Sequence, residues 1–198
     1  MSQVRVDPRE QRHHEKKAKL VATAWKIARH DGFAGLTLHA LARAAGLRQP
    51  SLYVYFDSKH DLIDALFADG NRELLARVDA LDLSSEPERA VRQMMHALVD
   101  FCMEDETRAA LLFQRPIPGY EPSVEAFAFA REFLARAVEA LGRAGLTDPE
   151  DVDVFVAVVA GVVNTQLSND PGSDRWTRHL DRMIDMVFED SQKRRSKS

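Results

Sequence analysis

The sequence predicts an all-α protein with a three-helix amino-terminal domain followed by a larger helical carboxyl-terminal domain. Apolar residues recur at helical spacing along most of the 198 residues. No segment shows the alternation of a half-buried strand, and stretches rich in Gly, Pro and cap residues separate the periodic segments. A hydrophobic content of 45% is enough for a packed core, and the length fits one domain or two modest ones.

The first predicted helix covers residues 13–31. Leu20, Ala24 and Ala28 lie on one helical face, and Gly32 marks the end of the helix. The polar residues 1–12 are interpreted as a flexible basic arm.

Residues 32–66 carry the most informative pattern of the chain. Thr37 is placed to cap a short helix, and Gly46 stands where a left-handed carboxyl-terminal cap belongs. Pro50 suits the first position of the next helix, because its missing N–H would have no intrahelical partner there.

Leu52 and Phe56, four residues apart, are expected to anchor this second helix in the core. A helix, a turn containing Gly and a second helix with polar first residues place a recognition helix in the major groove of DNA. The hydrogen-bonding residues left on its exposed side are Arg48, Gln49, Ser51, Tyr53 and Tyr55.

The remaining elements form the larger domain. Ser58 and Asp61 are spaced as a capping box that opens a long helix to about residue 81. Later helices are expected from Pro87, over residues 107–114, from Ser123, from Asp148-Pro149 (interrupted at Gly161 and Asn164) and from Trp176. A proline-rich loop is expected at 115–122 and a further loop at 169–172. The predicted domains are residues 13–57 and 58–190, with a basic disordered tail at 191–198.

The segment from about residue 15 to 67 resembles the TetR family of bacterial transcriptional regulators. The residues at the family's spacing are Gly32, Thr37, Ala42, Ala45, Gly46, Leu52, Tyr53, Phe56, Lys59 and Leu62. Two positions depart from the pattern: Tyr55 precedes Phe56, where the family often has His, and His39 follows Leu38. Both side chains can donate hydrogen bonds.

The charge distribution agrees with a DNA-binding front. Residues 1–60 contain 11 Lys and Arg and 5 Asp and Glu, a balance of +6, whereas residues 61–198 have a balance of −10. A basic front on an acidic body attracts a polyanion although the whole chain carries a net charge of −4.

The candidate DNA contacts divide into two classes, since phosphate contacts supply affinity and base contacts supply specificity. Gln can pair with adenine and Arg with guanine, so Arg48, Gln49 and Ser51 are the base-edge candidates. His39 fits either class. The phosphate candidates, supported by the resemblance, are Thr37, Tyr53, Tyr55 and Lys59, with Arg12, Lys16 and Lys17 as flanking backbone contacts or merely solvated side chains. Leu38 and Pro50 complete the predicted DNA-binding set.

The resemblance also implies a homodimer that binds an inverted repeat, a dimer interface on the last two helices and a small-molecule effector. Trp176 fits a core position and an interface position equally well. The residues expected to line a mildly hydrophobic effector pocket are Met95, His96, Phe101, Phe113, Phe127, Phe133, Phe155 and Asn164. The proline-rich loop after Arg115 fits a gate or a plain connection.

Other function classes have less support. No nucleophile elbow, phosphate-cradling loop or HExxH helix is present, so we expect no enzyme, metal or cofactor, and His13-His14 is interpreted as solvated. Cys102 is the single cysteine and is expected to be a small buried hydrophobe. The absence of a signal core or of eighteen consecutive apolar residues predicts a cytoplasmic protein. A module that binds RNA or a protein partner remains the alternative to a reader of duplex DNA.

Overall fold

The computed structural model describes residues 7–196, and it confirms the all-α fold class. Among these residues there are eight α-helices, two short 3₁₀ helices and no strand. The α-helices are α1 (Pro8–Gly35), α2 (Leu38–Ala44), α3 (Lys59–Asp79), α4 (Pro87–Glu104), α5 (Glu106–Phe113), α6 (Ala128–Arg143), α7 (Pro149–Asn169) and α8 (Leu180–Arg195), and the 3₁₀ helices are Gln49–Leu52 and Thr177–His179.

The chain divides into two compact units. The first unit contains residues up to Gly70 together with Ala110–Phe127, and the second contains Asn71–Ala109 together with residues from Ala128 onward. The boundary therefore lies within α3, whereas the sequence predicted it at residue 57. Side-chain contacts within the first unit explain the difference: the first half of α3 supplies Asp64, which accepts a hydrogen bond from the Tyr120 hydroxyl at 2.8 Å, and Phe67, which stacks on Phe127.

The core of the first unit is built on α1. Its buried stripe is Leu20, Val21, Ala24, Trp25 and Ala28, as the helical spacing predicted. Trp25 is buried, and its indole N–H donates to Asp69 of α3 at 2.9 Å. This bond satisfies a donor that would otherwise be costly to bury.

Helix α1 begins earlier than the sequence indicated. The Asp7 side chain accepts a hydrogen bond from the Arg9 N–H at 2.8 Å, and Pro8 occupies the first turn. Residues 8–12 are therefore helical and do not form the predicted flexible arm, whose residues 1–6 lie outside the described part. The predicted end is confirmed, because Gly32 breaks the helix with a φ of 68°.

The second unit packs α4 against α6, α7 and α8. Helix α4 buries one face, including Met94, Met95 and Phe101, and Phe155 of α7 meets Phe188 of α8 edge to face. Two predictions for this unit are wrong: the residue at which α6 begins and the interruption of α7. A turn capped by Ser123 precedes α6, which begins only at Ala128, and α7 continues through Gly161 and Asn164 without interruption.

A buried cation also lies in the second unit. Arg108 is 5% exposed, and its guanidinium stacks 3.7 Å above the Phe101 ring. It donates to the Phe101 carbonyl at 3.0 Å and to Glu73 of α3 at 2.7 Å. These contacts offset the cost of removing a charge from water, and no residue spacing predicted them.

Helix α7 is long and apolar enough to cross a membrane, and 33% of its apolar stretch is buried. A core helix of a globular protein has the same composition. Helix α7 packs on α8 and α4 and buries the polar side chains of Asp151 and Gln166, which supports its interpretation as a core helix.

Helix α8 continues to Arg195, so residues 191–195 are helical and not part of a disordered tail; residues 197–198 lie outside the described part. The buried carboxylate of Asp151 explains the extension. It accepts a hydrogen bond from Ser191 and pairs with Arg194, while Arg195 donates to the Gly145 carbonyl at 2.6 Å.

Replacing Arg194 with Ala should therefore destabilise the protein. The variant leaves the Asp151 carboxylate buried without its cation, and we expect the free energy of unfolding in urea to fall by roughly 1–3 kcal/mol. Lys193→Ala is the matched control, because its pair with Glu189 is solvent-exposed and should contribute less than about 1 kcal/mol. Equal effects of the two variants would contradict this account of the α8 terminus.

Candidate nucleic-acid interface

The candidate interface lies within the first unit. Its first element is α2, which has a well-defined cap at each end. The Thr37 hydroxyl accepts a hydrogen bond from the Ala40 N–H at 3.0 Å, which caps the helix as predicted. At the other end Gly46 has a φ of 65°, and the Leu47 N–H donates to the Ala42 carbonyl at 2.9 Å. This is the pattern of a Schellman cap.

The segment after the turn differs from the predicted helix. It is a single 3₁₀ turn, Gln49–Leu52, in which the Ser51 N–H donates to the Arg48 carbonyl at 2.9 Å. The Tyr55 N–H likewise donates to the carbonyl of Leu52, three residues earlier. This spacing gives a tighter turn than the four-residue spacing of an α-helix. We therefore call residues 48–56 the reading segment rather than a recognition helix.

Two apolar side chains hold the reading segment in place. Leu52 and Phe56 are both buried, which confirms their predicted role as anchors. Between and before them Arg48, Gln49 and Ser51 are exposed, and Tyr53 is 48% exposed. The polar groups are thus accessible to a ligand, while burial of Leu52 and Phe56 holds the backbone in place.

The other predicted contact residues lie beside the reading segment. Thr37 and His39 are exposed on the first turn of α2, and Pro50 and Lys59 are exposed as well, whereas Leu38 and Tyr55 are half-buried. His39 Nδ1 lies 3.4 Å from Gln49 Oε1, so α2 and the reading segment are in contact through two candidate side chains.

Lys59 already has a structural partner. Its ammonium group donates to the Phe33 carbonyl at 2.8 Å, which joins the start of α3 to the end of α1. The α3 start is also capped as predicted: the Ser58 hydroxyl accepts from the Asp61 N–H at 3.1 Å, and the Asp61 carboxylate accepts from the Asp57 N–H at 3.0 Å.

Two half-buried residues of α1 lie next to this surface. Lys17 was predicted as a flanking backbone contact or a solvated side chain, whereas His13, which was interpreted as solvated, was not predicted to have a role in it. His13 stacks on the Tyr55 ring with 4.8 Å between centroids, and its Nε2 lies 3.3 Å from the Val54 carbonyl oxygen. Lys17 Nζ lies 5.4 Å from the centroid of the Phe56 ring. The available sequence signal was spacing: positions 17 and 13 extend the buried stripe of α1 by one and two turns, respectively.

The predicted effector residues are distributed over the two units. In the second unit Met95, Phe101, Phe133 and Phe155 are buried in packed core, while Asn164 is exposed. The exposed His96 lies 3.0 Å from an Asp181 carboxylate oxygen. Phe113, 42% exposed, and the half-buried Phe127 belong to the first unit.

Residues other than the predicted effector residues line the following two cavities of the second unit. One of about 480 Å³ has a mixed lining that includes Arg77, Asp100 and Glu104. The hydrogen bond from Arg77 lowers the pKa of the Glu104 carboxyl, so this pair stays ionised. The other, about 450 Å³, is a largely apolar groove between α7 and α8 that includes Val154, Met186 and Trp176.

Cys102 is buried, as predicted, and burial raises the pKa of its thiol to about 12. A thiol with so high a pKa is neutral at physiological pH and a poor nucleophile. Within residues 7–196, no group of three or more His, Cys, Asp or Glu side chains is arranged to hold a metal ion.

Comparison with known proteins agrees with this geometry. Residues 20–66 match the family model described as bacterial regulatory proteins, tetR family. Two curated relatives, the HTH-type transcriptional regulators Mb1846 of Mycobacterium bovis and Rv1816 of Mycobacterium tuberculosis, are each 30% identical over 119 residues, which is 59% of this chain and 51% of theirs. The chain therefore spans about half the length of the curated relatives it matches.

Solved structures share the fold over nearly the whole chain. The putative regulatory protein SCO4313 superposes with a TM-score of 0.72 at 23% identity, covering 93% of this chain and 98% of that one. The TetR family regulator PfmR from Thermus thermophilus gives 0.64 at 17% identity, covering 86% and 97%. The regulator FadR from Bacillus subtilis, solved in complex with stearoyl-CoA, gives 0.65 at 14% identity, also covering 86% and 97%.

The left-handed turn at Gly46 yields a stability prediction. Gly46→Ala places a Cβ on a backbone with positive φ, so we expect the free energy of unfolding, measured by circular dichroism in urea, to fall by about 1–2 kcal/mol. Gly142→Ala is the matched control, because this glycine is helical and open space surrounds the added methyl group. The control should be stabilised by up to about 1 kcal/mol. A Gly46 variant as stable as the Gly142 variant would show that the turn does not require a glycine.

Proposed function

The chain carries the TetR-family DNA-binding region on the TetR-family fold, and from this premise we propose that it is a ligand-responsive transcriptional repressor. In this proposal a homodimer binds a palindromic operator in double-stranded DNA, and a small, mildly hydrophobic effector releases it. The protein acts in the cytoplasm, and the proposal includes no catalytic step.

The observation that carries the proposal is the exposure of the reading segment. Arg48, Gln49, Ser51 and Tyr53 are solvent-exposed on a segment whose two apolar side chains are buried. These groups lie in the basic part of the chain, where the first sixty residues have a balance of +6. Exposed hydrogen-bonding side chains on a positively charged front are what a reader of duplex DNA requires.

The proposed contacts keep their two classes. Gln49, Ser51 and Arg48 meet base edges, while Thr37, Tyr53, Tyr55 and Lys59 meet phosphates, and His39 acts beside Gln49. The contact between His39 and Gln49 supports this placement, because it restricts the Gln49 amide near the start of the reading segment. Lys59 has one partner in the Phe33 carbonyl and two further N–H groups available for a phosphate.

The proposed dimer surface is the outer face of α7 and α8. Val154, Val156 and Met186 are about half exposed or more on these helices, and the apolar groove between α7 and α8 lies beside them. Burial of such a patch against the same patch of a second copy removes apolar surface from water. Trp176 lines this groove, which favours its interface role over a pure core role.

The proposed effector is a hydrophobic small molecule bound within the second unit. Met95, Phe101, Phe133 and Phe155 provide a core rich in aromatic and thioether groups, which can repack around a guest. The FadR protein of Bacillus subtilis, similar in fold, was solved with stearoyl-CoA. Release from DNA requires that the effector bind the DNA-incompetent state more tightly than the DNA-bound state.

The test of the function is selection of bound fragments from a pool of random duplex DNA. We expect enrichment of an inverted repeat, and we expect an unlabelled duplex to displace it better than single-stranded or hairpin RNA of equal length. Enrichment of no sequence, together with no binding of any duplex in dilute salt, would overturn the proposal. Preferential displacement by RNA would favour the RNA-binding alternative.

The division of contacts can be tested by two substitutions. Gln49→Ala should reduce discrimination between the enriched duplex and a one-base variant by roughly 1–3 kcal/mol. Lys59→Ala should weaken binding to all duplexes alike and make the salt dependence shallower by about one unit. Fluorescence anisotropy titrations at several salt concentrations measure both quantities.

Arg143→Ala is the control for charge, because it removes one cation from an exposed pair in the second unit. It should leave both the discrimination and the salt slope unchanged. The division is contradicted if the Gln49 and Lys59 variants change specific and random binding by the same factor.

A further inference from the structure

Two residues in the first three turns of α1 contact three consecutive residues of the reading segment. His13 stacks on Tyr55 with the ring planes 21° apart and approaches the Val54 carbonyl, and Lys17 lies over the Phe56 ring. His13 and Lys17 are four residues apart, so both side chains project from the same face of α1.

Tyr55 needs such a support because of its backbone. It follows the 3₁₀ turn, and only one three-residue hydrogen bond, from its N–H to the Leu52 carbonyl, fixes it locally. Regular helical packing does not set the direction of its phenol. The ring is nevertheless half-buried, because the imidazole of His13 covers one of its faces.

The hydrogen bond of His13 fixes the imidazole itself. Nε2 can donate to the Val54 carbonyl oxygen at 3.3 Å, and the Val54 side chain stays 67% exposed, so this backbone contact holds a residue with no side-chain anchor of its own. One side chain therefore orients both the carbonyl before Tyr55 and the ring of Tyr55.

We propose that His13 is a positioning residue for DNA binding, which holds the Tyr55 phenol in the orientation that meets a phosphate of the duplex. This inference rests on the proposed function. Freezing a side chain before binding lowers the entropy cost of the complex, and for one residue this corresponds to about a three- to tenfold gain in affinity. His13 itself touches no phosphate in this scheme.

The experiment is a double-mutant cycle on the full chain. Four proteins are compared: the unsubstituted chain, His13→Ala, Tyr55→Phe, and the two substitutions combined. Each is titrated by fluorescence anisotropy against a fluorescein-labelled duplex with the sequence that the unsubstituted chain enriches, and against a random duplex of equal length. Circular dichroism checks that each variant is folded at the titration temperature.

We expect His13→Ala to weaken binding about three- to tenfold, with the salt slope unchanged. The combined variant should bind like Tyr55→Phe alone, because His13 acts through the Tyr55 hydroxyl. His13→Phe, which keeps an aromatic ring against Tyr55, should recover most of the loss. His30→Ala is the matched control, since this histidine is exposed on the same helix and its Nδ1 lies 2.7 Å from a carboxylate oxygen of its neighbour Asp31. The control should bind like the unsubstituted chain.

Several results would overturn the inference. An unchanged affinity of His13→Ala or of Tyr55→Phe would show that the contact or the hydroxyl has no part in binding. A loss that persists in full in the Tyr55→Phe background would indicate a purely structural role. A salt slope that falls by about one unit would assign a direct phosphate contact to His13. If the unsubstituted chain binds no duplex, the proposed function fails instead.

Discussion

Burial of Leu52 and Phe56 is the constraint on which the candidate interface depends. A 3₁₀ turn of four residues has too few hydrogen bonds to be stable alone, so the reading segment is held by tertiary packing. Burying these two side chains stabilises the segment by about 1.5–3 kcal/mol each. Because this holds the backbone from one side, the polar side chains on the other side need no partners within the chain and stay available to a ligand.

Helix α1 adds a second support to the same segment. Trp25, buried and bonded to Asp69, fixes α1 against the first half of α3, and His13 then reaches the reading segment from the start of the same helix. The Lys59 bond to Phe33 joins the other end of α1 to the start of α3. The reading segment is thus braced by residues before it and after it in the chain.

Features with local causes were predictable from the sequence. The Thr37 cap, the left-handed Gly46, the Ser58 cap and the stripe of α1 each depend on residues within one or two turns, and each is present. The 3₁₀ form of the reading segment was not predictable, because the local residue pattern of one short turn does not distinguish the two hydrogen-bond spacings. Contacts between residues far apart in the sequence were missed for a related reason: His13 contacts Val54, 41 positions later in the chain, and no local pattern encodes that separation. The effector residues stay a prediction, because an aromatic residue in a helical stripe has the same pattern whether it lines a cavity or fills a core.

Cys102 has a practical consequence for following the molecule in solution. It is the sole cysteine of the chain, and it is 1% exposed with a neutral thiol, so alkylating reagents should leave the folded protein almost untouched. Reaction at this sulfur therefore reports transient opening of the second unit's interior. A cysteine introduced on an exposed surface would, in contrast, accept a fluorophore selectively, without removal of the native one.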